Sequence, residues 1–368
     1  MPSPVVPKAL EPGATIAFVS PSARLNDKYP AVMARATALL EGRGYKVREF
    51  YTKDSGIQNG IANRLAELRA ALTDDSIGAV ICTIGGTTFT ELLPALLADT
   101  ALHEEIRARP KIVVGYSDIT GLHWFLHATT GLRTFYGPGA IPELGEATAT
   151  AKGKEEEGEE SAVAFSARSL FRAITSRSPT GDVEKSRTYM PKLAPYFFPG
   201  GSEDALGEMA LNDPGWSWIR PGKARGRLFG GCLTVMARLG GVRGIAPDWR
   251  GRIVFVETAP ADDGIGGNPL PRVRAGFADL MAQGVFDDAA GLVIGRPFGY
   301  DTPAQREEYA GVIRGLLCEG PMVEKKQFPI LFNVDFGHTS PLVTLPFDVM
   351  AELDSEVDRF AIVEAGVL

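Results

Sequence analysis

Short apolar runs alternate with helix-like segments through the first 140 residues of the chain. The apolar runs predict buried strands over residues 14–19, 45–51, 79–84 and 111–114. Apolar residues recur with a helical period between and after these runs, over residues 31–43, 64–72, 91–97 and 119–129. Strands that alternate with helices in this way indicate βαβ units and a parallel sheet that is buried on both faces.

A second alternation begins at Gly226 and continues towards the end of the chain. It predicts strands over residues 252–257, 291–295, 330–334, 343–346 and 359–363. It predicts helices over residues 233–239, 273–281 and 304–318. This half of the sequence therefore indicates a second domain of mixed α/β structure.

The stretch between the two alternating regions has a different composition. Residues 143–200 contain Ala-Thr repeats, and Lys152–Glu160 includes five glutamates. This composition favours a solvated loop over a packed layer, with a lid over an active site as the alternative. We therefore expect an α/β domain over residues 1–142, a linker or insertion over 143–225, and the mixed α/β domain over 226–368.

Composition and charge exclude several classes of protein. The chain has 368 residues, of which 45% are hydrophobic and 23% charged, and a net charge of −7. These fractions are typical of a globular protein, and the acidic balance argues against a nucleic-acid polymer or an anionic membrane as partner. No apolar run approaches the roughly 20 residues that span a bilayer. The first residues lack the features of a signal peptide, so we expect a cytoplasmic protein.

The most informative candidate for chemistry is the sequence Gly115-Tyr116-Ser117-Asp118. An apolar strand ends at Gly115, and a helix is predicted to begin within a few residues. A serine in such a turn lies at the carboxyl edge of the sheet, where open α/β sheets bind ligands. Ser117 is therefore a candidate nucleophile. The alternative is that Ser117 or Asp118 only caps the helix.

A serine nucleophile needs a base, and the chain has four histidines. His103 lies in a charged helical segment. His123 and His127 are four residues apart on the helix after Ser117, but no HExxH motif or third ligand accompanies them, so we expect no metal site. His338 lies in a glycine-flanked loop after a predicted strand, which makes it the best candidate for the base.

Glu257 is the candidate for the carboxylate that orients the base. It is the last residue of the apolar strand 252–257. A carboxylate in such a place is costly unless it is paired, so a partner is expected nearby. The alternatives are a helix cap or a salt bridge to Arg252 or Arg296.

Two glycines follow the strand 79–84. Gly85 and Gly86 let the backbone approach a ligand closely, and a backbone N–H there, together with that of Asp118, would form an oxyanion hole. A phosphate cradle is the competing interpretation, but both the P-loop and the G-x-G-x-x-G motifs are absent.

These motifs, in this order, resemble the LD-carboxypeptidase family of serine peptidases, which includes the microcin C immunity proteins. The resemblance extends over most of the chain. Its motifs are residues 13–22, Ile84-Gly85-Gly86, Gly115–Thr120, Thr130–Pro138, Gly226–Gly231, the strand ending at Glu257, and Gly337-His338.

The resemblance implies a catalytic triad that is split between two domains. Ser117 would be the nucleophile, His338 the general base and acid, and Glu257 the residue that orients the imidazole. Gly86 and Asp118 would supply the oxyanion N–H groups, without metal or cofactor. The implied fold is a flavodoxin-like parallel-sheet N-terminal domain with a smaller mixed α/β C-terminal domain, and the implied assembly is a homodimer.

The local sequence around the glycine pair is similar to the microcin C immunity branch. That branch cleaves the amide between an aminoacyl group and a nucleotide-like moiety. Gly85 and Thr87 would then contact the substrate, as would Trp216 and Trp218, whose indoles would stack on a purine; core packing is the alternative for these tryptophans. Cys232 is a departure, because the family has asparagine after this Gly-Gly pair.

Two other functions stay open. A murein tetrapeptide LD-carboxypeptidase would use the same triad with a different pocket. A non-catalytic, two-lobed solute- or peptide-binding protein would have no reactive serine. In each case the ligand is a small peptide or an aminoacyl-nucleotide.

Overall fold

The computed structural model describes residues 2–147, 161–324 and 327–368. The strands of the first half are β1 (Thr15–Val19), β2 (Lys46–Phe50), β3 (Ile77–Cys82), β4 (Ile112–Gly115) and β5 (Phe135–Tyr136). The helices of this half are α1 (Pro30–Glu41), α2 (Ile57–Thr73), α3 (Leu93–Ala98), α4 (Thr100–Ala108) and α5 (Thr120–Thr130).

The remaining elements continue in chain order. The helices are α6 (Ala162–Thr175), α7 (Leu233–Leu239), α8 (Leu270–Ala282) and α9 (Pro303–Leu317). The short strands before Gly226 are β6 (Gly181–Asp182), β7 (Thr188–Tyr189), β8 (Ala210–Leu211) and β9 (Ser217–Arg220). The later strands are β10 (Lys223–Cys232), β11 (Arg252–Glu257), β12 (Gly291–Gly295), β13 (Ile330–Val334), β14 (Leu345–Pro346), β15 (Met350–Asp354) and β16 (Arg359–Ile362).

The first sheet is a parallel sheet with strand order β2-β1-β3-β4-β5, and β14 pairs antiparallel with β5 at its edge. This is the flavodoxin-like order. Because the strands are parallel, their carboxyl ends, including Cys82 and Gly115, lie at one edge. The predicted flavodoxin-like parallel sheet is confirmed.

The second sheet has eight strands in the order β6-β16-β15-β10-β11-β12-β13-β9. Strands β10 to β13 are parallel, and the outer strands are antiparallel to their neighbours. The mixed α/β structure of this half is thereby confirmed. Its outer strands β6 and β9 come from the segment before residue 226, whereas β14 returns to the first sheet. The domain boundaries themselves stay a prediction.

The interpretation of residues 143–200 as a solvated loop is wrong for α6. Ser161 caps this helix by accepting a hydrogen bond from the Ala164 N–H at 3.2 Å. One face of the helix is buried through Val163, Ala167, Leu170 and Ile174, and the last three of these belong to the core beside the first sheet. These four positions have the spacing of an amphipathic helix. The acidic part of the segment, Lys152–Glu160, lies outside the described residues.

Helix α5 joins the two halves. Trp124 Nε1 donates to the Gly230 carbonyl at 2.9 Å, and the Cys232 N–H donates to Thr120 Oγ1 at 3.0 Å. A Cβ atom on Gly231 would lie 2.3 Å from Thr120 Cγ2, so only glycine permits this approach. The contact brings the carboxyl edges of the two sheets together. Among the described residues, no helix is long and apolar enough to cross a bilayer.

Candidate active site

Ser117 lies just past the carboxyl end of β4 in a left-handed conformation. Its φ is +63°, which costs a non-glycine residue about 1–2 kcal/mol. Such strain is concentrated at functional positions, because the surrounding structure must enforce it. Within the described residues the Ser117 Oγ makes no hydrogen bond, and its side chain caps no helix. The capping alternative is therefore wrong for Ser117.

Asp118 holds the turn in place through a fully buried carboxylate. It accepts hydrogen bonds from Ser22 Oγ at 2.6 Å and from the Phe89 N–H at 2.8 Å, and it pairs with the Arg238 guanidinium. These partners lie far away in sequence, so the capping alternative is wrong for Asp118 too. The carboxylate ties the loop after β3 to the turn that carries Ser117.

The glycine pair after β3 approaches Ser117 closely. A Cβ atom on Gly85 would lie 2.6 Å from Ser117 Cβ and 2.8 Å from Ser117 Oγ. Gly86 has a φ of +138°, and a Cβ there would lie 2.6 Å from Ser22 Oγ. Within the described residues, the N–H groups of Gly86 and Asp118 donate to no protein atom. Thr87 beside them is exposed.

Glu257 and His338 form a direct pair. His338 Nδ1 lies 2.7 Å from Glu257 Oε2, and the backbone N–H of His338 donates to the same oxygen at 3.4 Å. The proposed salt bridges to Glu257 are wrong, because Arg252 pairs with Asp348 and Arg296 with Asp335. With its Nδ1–H directed at Glu257, the imidazole presents Nε2 as a proton acceptor.

Burial alone raises the pKa of Glu257, whose side chain is fully buried. The charge of His338 and hydrogen bonds from His338 and Tyr136 outweigh that effect, so the pKa lies below its usual value. The carboxylate therefore stays ionised beside the imidazole. Gly337, with a φ of +89°, permits the approach, since a Cβ there would lie 2.5 Å from Glu257 Cβ.

Tyr136 connects the serine to the Glu257–His338 pair. Its hydroxyl donates to Glu257 Oε1 at 2.5 Å and accepts from the Ser117 N–H at 3.0 Å. Burial and the charge of Glu257 raise the pKa of Tyr136 well above its usual value, so the phenol keeps its proton. Sequence reasoning missed this role, because Tyr136 lies in an apolar segment without any polar pattern.

A cavity beside His338 contains two further carboxyl groups that sequence reasoning missed. The Tyr116 ring packs edge-on against the His338 ring at 5.1 Å, and its hydroxyl donates to Glu143 at 2.5 Å. Glu146 accepts from Ser340 Oγ at 2.9 Å. Both glutamates are buried and line the cavity together with His338 and Ser340.

The two tryptophans form hydrogen bonds to acidic residues of the second half of the chain. Trp216 precedes β9 and donates its indole N–H to Asp335 at 2.8 Å. Trp218 lies on β9 and donates to Asp358 at 2.9 Å. Neither lines the cavity beside His338. Both indoles are partly buried, Trp216 against the Phe360 ring at 6.3 Å.

His123 and Cys232 are both buried inside the protein. His123 is buried between Thr134 Oγ1 at 2.8 Å and the Gly115 carbonyl at 2.9 Å, and burial lowers its pKa to about 4. Cys232 is buried and pairs with Glu257 in the register of β10 and β11. Among the described residues, no group of three His, Cys, Asp or Glu side chains is arranged to hold a metal ion.

Comparison with known proteins assigns the family. Sequence profiles of the LD-carboxypeptidase N-terminal and C-terminal domains match residues 16–137 and 225–353. The chain is 28% identical to a putative carboxypeptidase of Vibrio cholerae, covering 98% of each chain. It is 26% identical to the microcin C7 self-immunity protein MccF of Escherichia coli, covering 98% of this chain and 96% of that protein. It is also 28% identical to a probable murein peptide carboxypeptidase of Bacillus subtilis, covering 98% and 95%.

Solved structures agree with this assignment. The structure of MccF in complex with aspartyl sulfamoyl adenosine superimposes with a TM-score of 0.80 at 25% identity, covering 99% of this chain and all of that one. An MccF-like protein from Bacillus anthracis gives a TM-score of 0.79 at 26% identity, covering 98% and 99%. The family resemblance is confirmed: the chain belongs to the LD-carboxypeptidase family, a family of hydrolases.

Proposed function

We propose that the chain is a serine amidase that works through an acyl-enzyme. The observation that carries this proposal is the chain of contacts from the Ser117 N–H through Tyr136 to Glu257 and His338. A strained serine, an oriented imidazole and a buried carboxylate are the three parts that nucleophilic amide cleavage requires.

Each residue has one role in the proposed reaction. Ser117 Oγ attacks the amide carbonyl and gives its proton to His338 Nε2, while Glu257 stabilises the imidazolium. His338 then protonates the leaving nitrogen, and water hydrolyses the acyl-enzyme by the same route in reverse. The N–H groups of Gly86 and Asp118 receive the developing oxyanion. The proposal requires that Ser117 Oγ reach hydrogen-bond distance of Nε2 in the substrate complex.

The substrate class follows from the relatives and from the sequence around the glycine pair. An MccF structure binds aspartyl sulfamoyl adenosine, so we infer an aminoacyl group joined by an amide to a nucleotide-like moiety. A murein tetrapeptide is the second candidate, because the probable murein peptide carboxypeptidase of Bacillus subtilis is 28% identical over nearly the full chain, against 26% for MccF. Gly85 and Thr87 are the proposed substrate contacts nearest to Ser117. Trp216 and Trp218 stay proposed purine contacts, although neither lines the cavity beside His338.

Turnover of both substrate classes by Ser117→Ala tests the mechanism. The variant should lose about 10⁴-fold or more in kcat/KM, while its Kd for an aminoacyl sulfamoyl adenosine stays within a few fold. Ser178→Ala, at an exposed serine, is the matched control and should keep full activity. Retained turnover in Ser117→Ala would refute the mechanism and leave the binding-protein alternative.

The preferred substrate identifies the branch. Cleavage of the aminoacyl sulfamoyl adenosine but not of an L,D-tetrapeptide would support the immunity-type function, and the reverse would support the murein function. The homodimer stays a prediction, which sedimentation of the purified chain tests.

A further inference from the structure

The cavity beside His338 contains two buried carboxyl groups that form no salt bridge within the described residues. Glu143 and Glu146 are 3% and 8% exposed. No Lys, Arg or His of the described residues forms a salt bridge with either. Lys192 also lines the cavity, but its amine is exposed and lies 3.7 Å from Glu208 outside it. Two carboxyl groups without a paired cation among the described residues therefore line the cavity.

The two carboxyl groups differ in their hydrogen bonds. Glu143 is saturated, because its oxygens accept from Tyr116 Oη at 2.5 Å and from the Gly139 N–H at 2.9 Å. Glu146 accepts from Ser340 Oγ through Oε2, but among the described residues its buried Oε1 has no hydrogen-bond partner. A buried carboxylate oxygen without a hydrogen-bond donor costs free energy, so a donor from a bound ligand would stabilise this position.

The surroundings of Glu146 favour a positively charged donor. Burial, and then the negative charge of Glu143, raises the pKa of Glu146 to about 8, against a smaller lowering effect of the Ser340 hydroxyl. A cation bound between Glu143 and Glu146 would offset both the loss of solvation and the repulsion between the two carboxylates. A buried carboxyl oxygen that has no donor among the described residues and lies in the wall of a cavity indicates a ligand site.

We propose that Glu146, assisted by Glu143, binds a primary ammonium group on the acyl residue of the substrate. The inference rests on the proposed amidase function. The position fits, because Tyr116 contacts both the His338 ring and Glu143, and Ser340 is two residues from His338. The leaving groups of both candidate substrates are anionic or neutral, so an ammonium group would come from the acyl residue. Glu146 is thereby a specificity-determining residue.

Two ammonium groups could supply this contact. One is the α-ammonium of an aminoacyl group, and the other is the side-chain ammonium of a dibasic residue, as in a peptide. Four amides with the same sulfamoyl adenosine leaving group separate them: lysyl, norleucyl, Nα-acetyl-lysyl and Nα-acetylnorleucyl. Norleucyl retains only the α-ammonium, Nα-acetyl-lysyl retains only the side-chain ammonium, and Nα-acetylnorleucyl has neither.

The test measures kcat/KM of the wild type and of Glu146→Gln on these four amides. If a charge-assisted hydrogen bond forms, kcat/KM of the wild type should be about 10- to 100-fold higher for the compound with the recognised ammonium than for its neutral counterpart. Glu146→Gln should lose that preference. Glu104→Gln, at an exposed glutamate on α4, is the control and should keep the preference. A thermal melt of each variant verifies folding.

The outcomes separate this inference from the proposed function. Equal wild-type turnover of all four amides, or a preference that survives in Glu146→Gln, would overturn the subsite. If no amide is cleaved, calorimetric Kd values of the same four compounds decide the inference by the same criterion. Ammonium-dependent binding without turnover would overturn the amidase proposal and support the subsite.

Discussion

The substitution Tyr136→Phe removes one hydroxyl that joins both halves of the candidate site. That hydroxyl makes one bond to a buried carboxylate and one to a buried backbone N–H. A hydrogen bond to a charged group contributes about 1.5–3 kcal/mol and a neutral one about 0.5–1.5 kcal/mol, so the free energy of unfolding should fall by about 2–4 kcal/mol. Phenylalanine fills the same space, so packing is preserved.

The same change should slow the proposed reaction. Without the hydroxyl, Glu257 Oε1 loses its hydrogen bond from Tyr136, and the Ser117 N–H loses its acceptor. We expect kcat to fall about 10- to 100-fold, equivalent to about 1.4–2.8 kcal/mol of transition-state stabilisation, with a smaller change in KM. Urea denaturation and steady-state kinetics on the cleaved amide measure the two effects.

The free energy of unfolding of the variant and of the wild type should also be compared in acid. The pKa of Glu257 in the folded chain lies below 4.5, so its contribution to stability is present above that pH and is lost as the pH falls through the folded pKa. Tyr136→Phe removes one of the causes of the lowering. The stability difference between the variant and the wild type should therefore shrink in acid.

Tyr51→Phe is the matched control. Its hydroxyl makes one exposed hydrogen bond to Asp27 at 3.0 Å, so its loss should cost less than about 0.5 kcal/mol. If Tyr136→Phe behaves like Tyr51→Phe in both stability and kcat, the phenol does not connect the site as described.

Two further predictions concern Gly85 and Glu146. In Gly85→Ala the new methyl group would lie 2.6 Å from Ser117 Cβ, so kcat should fall at least about 100-fold and the free energy of unfolding by about 1–3 kcal/mol. The control is Gly311→Ala on α9, where a Cβ meets nothing within 4 Å, and it should be neutral or stabilising. Equal activity of the two variants would contradict the steric argument. The pKa of Glu146 is raised from 4.5 to about 8 in the folded chain. Its contribution to the free energy of unfolding is therefore full below pH 4.5 and is lost as the pH rises to about 8, by up to about 1.4 kcal/mol per pH unit. Glu146→Gln should remove this loss, and wild-type and variant curves of unfolding free energy that stay parallel from pH 4.5 to 8 would contradict it.

The sequence pattern predicted those strands and helices whose apolar and polar residues alternate clearly within the segment itself. The apolar run of β11 lies between Arg252 and Glu257, and β13 lies between Pro329 and Asp335, so the predicted bounds of both strands agree with the structure. Helix α6 was missed because the acidic run before it dominated the composition of the segment. Its signals were present, in the Ser161 cap and in apolar residues at positions 163, 167, 170 and 174.

The candidate site was predictable only in part, for a similar reason. Ser117, Glu257 and His338 follow apolar strands, and residues at strand ends meet at the edge of a sheet. Tyr136 carries no such signal, since its role depends on contacts with residues 19 and 121 positions away. Glu143 and Glu146 resembled surface residues, because nothing in the local sequence shows that the chain buries them against His338.

The central claim is that Ser117 is a nucleophile activated by His338. Incubation with a fluorophosphonate, followed by mass spectrometry of the digested protein, tests it directly. The account predicts one adduct, on the peptide that contains Ser117, that is absent in Ser117→Ala and forms at least about 100-fold more slowly in His338→Ala. No adduct on Ser117, or labelling that is undiminished in His338→Ala, would contradict it.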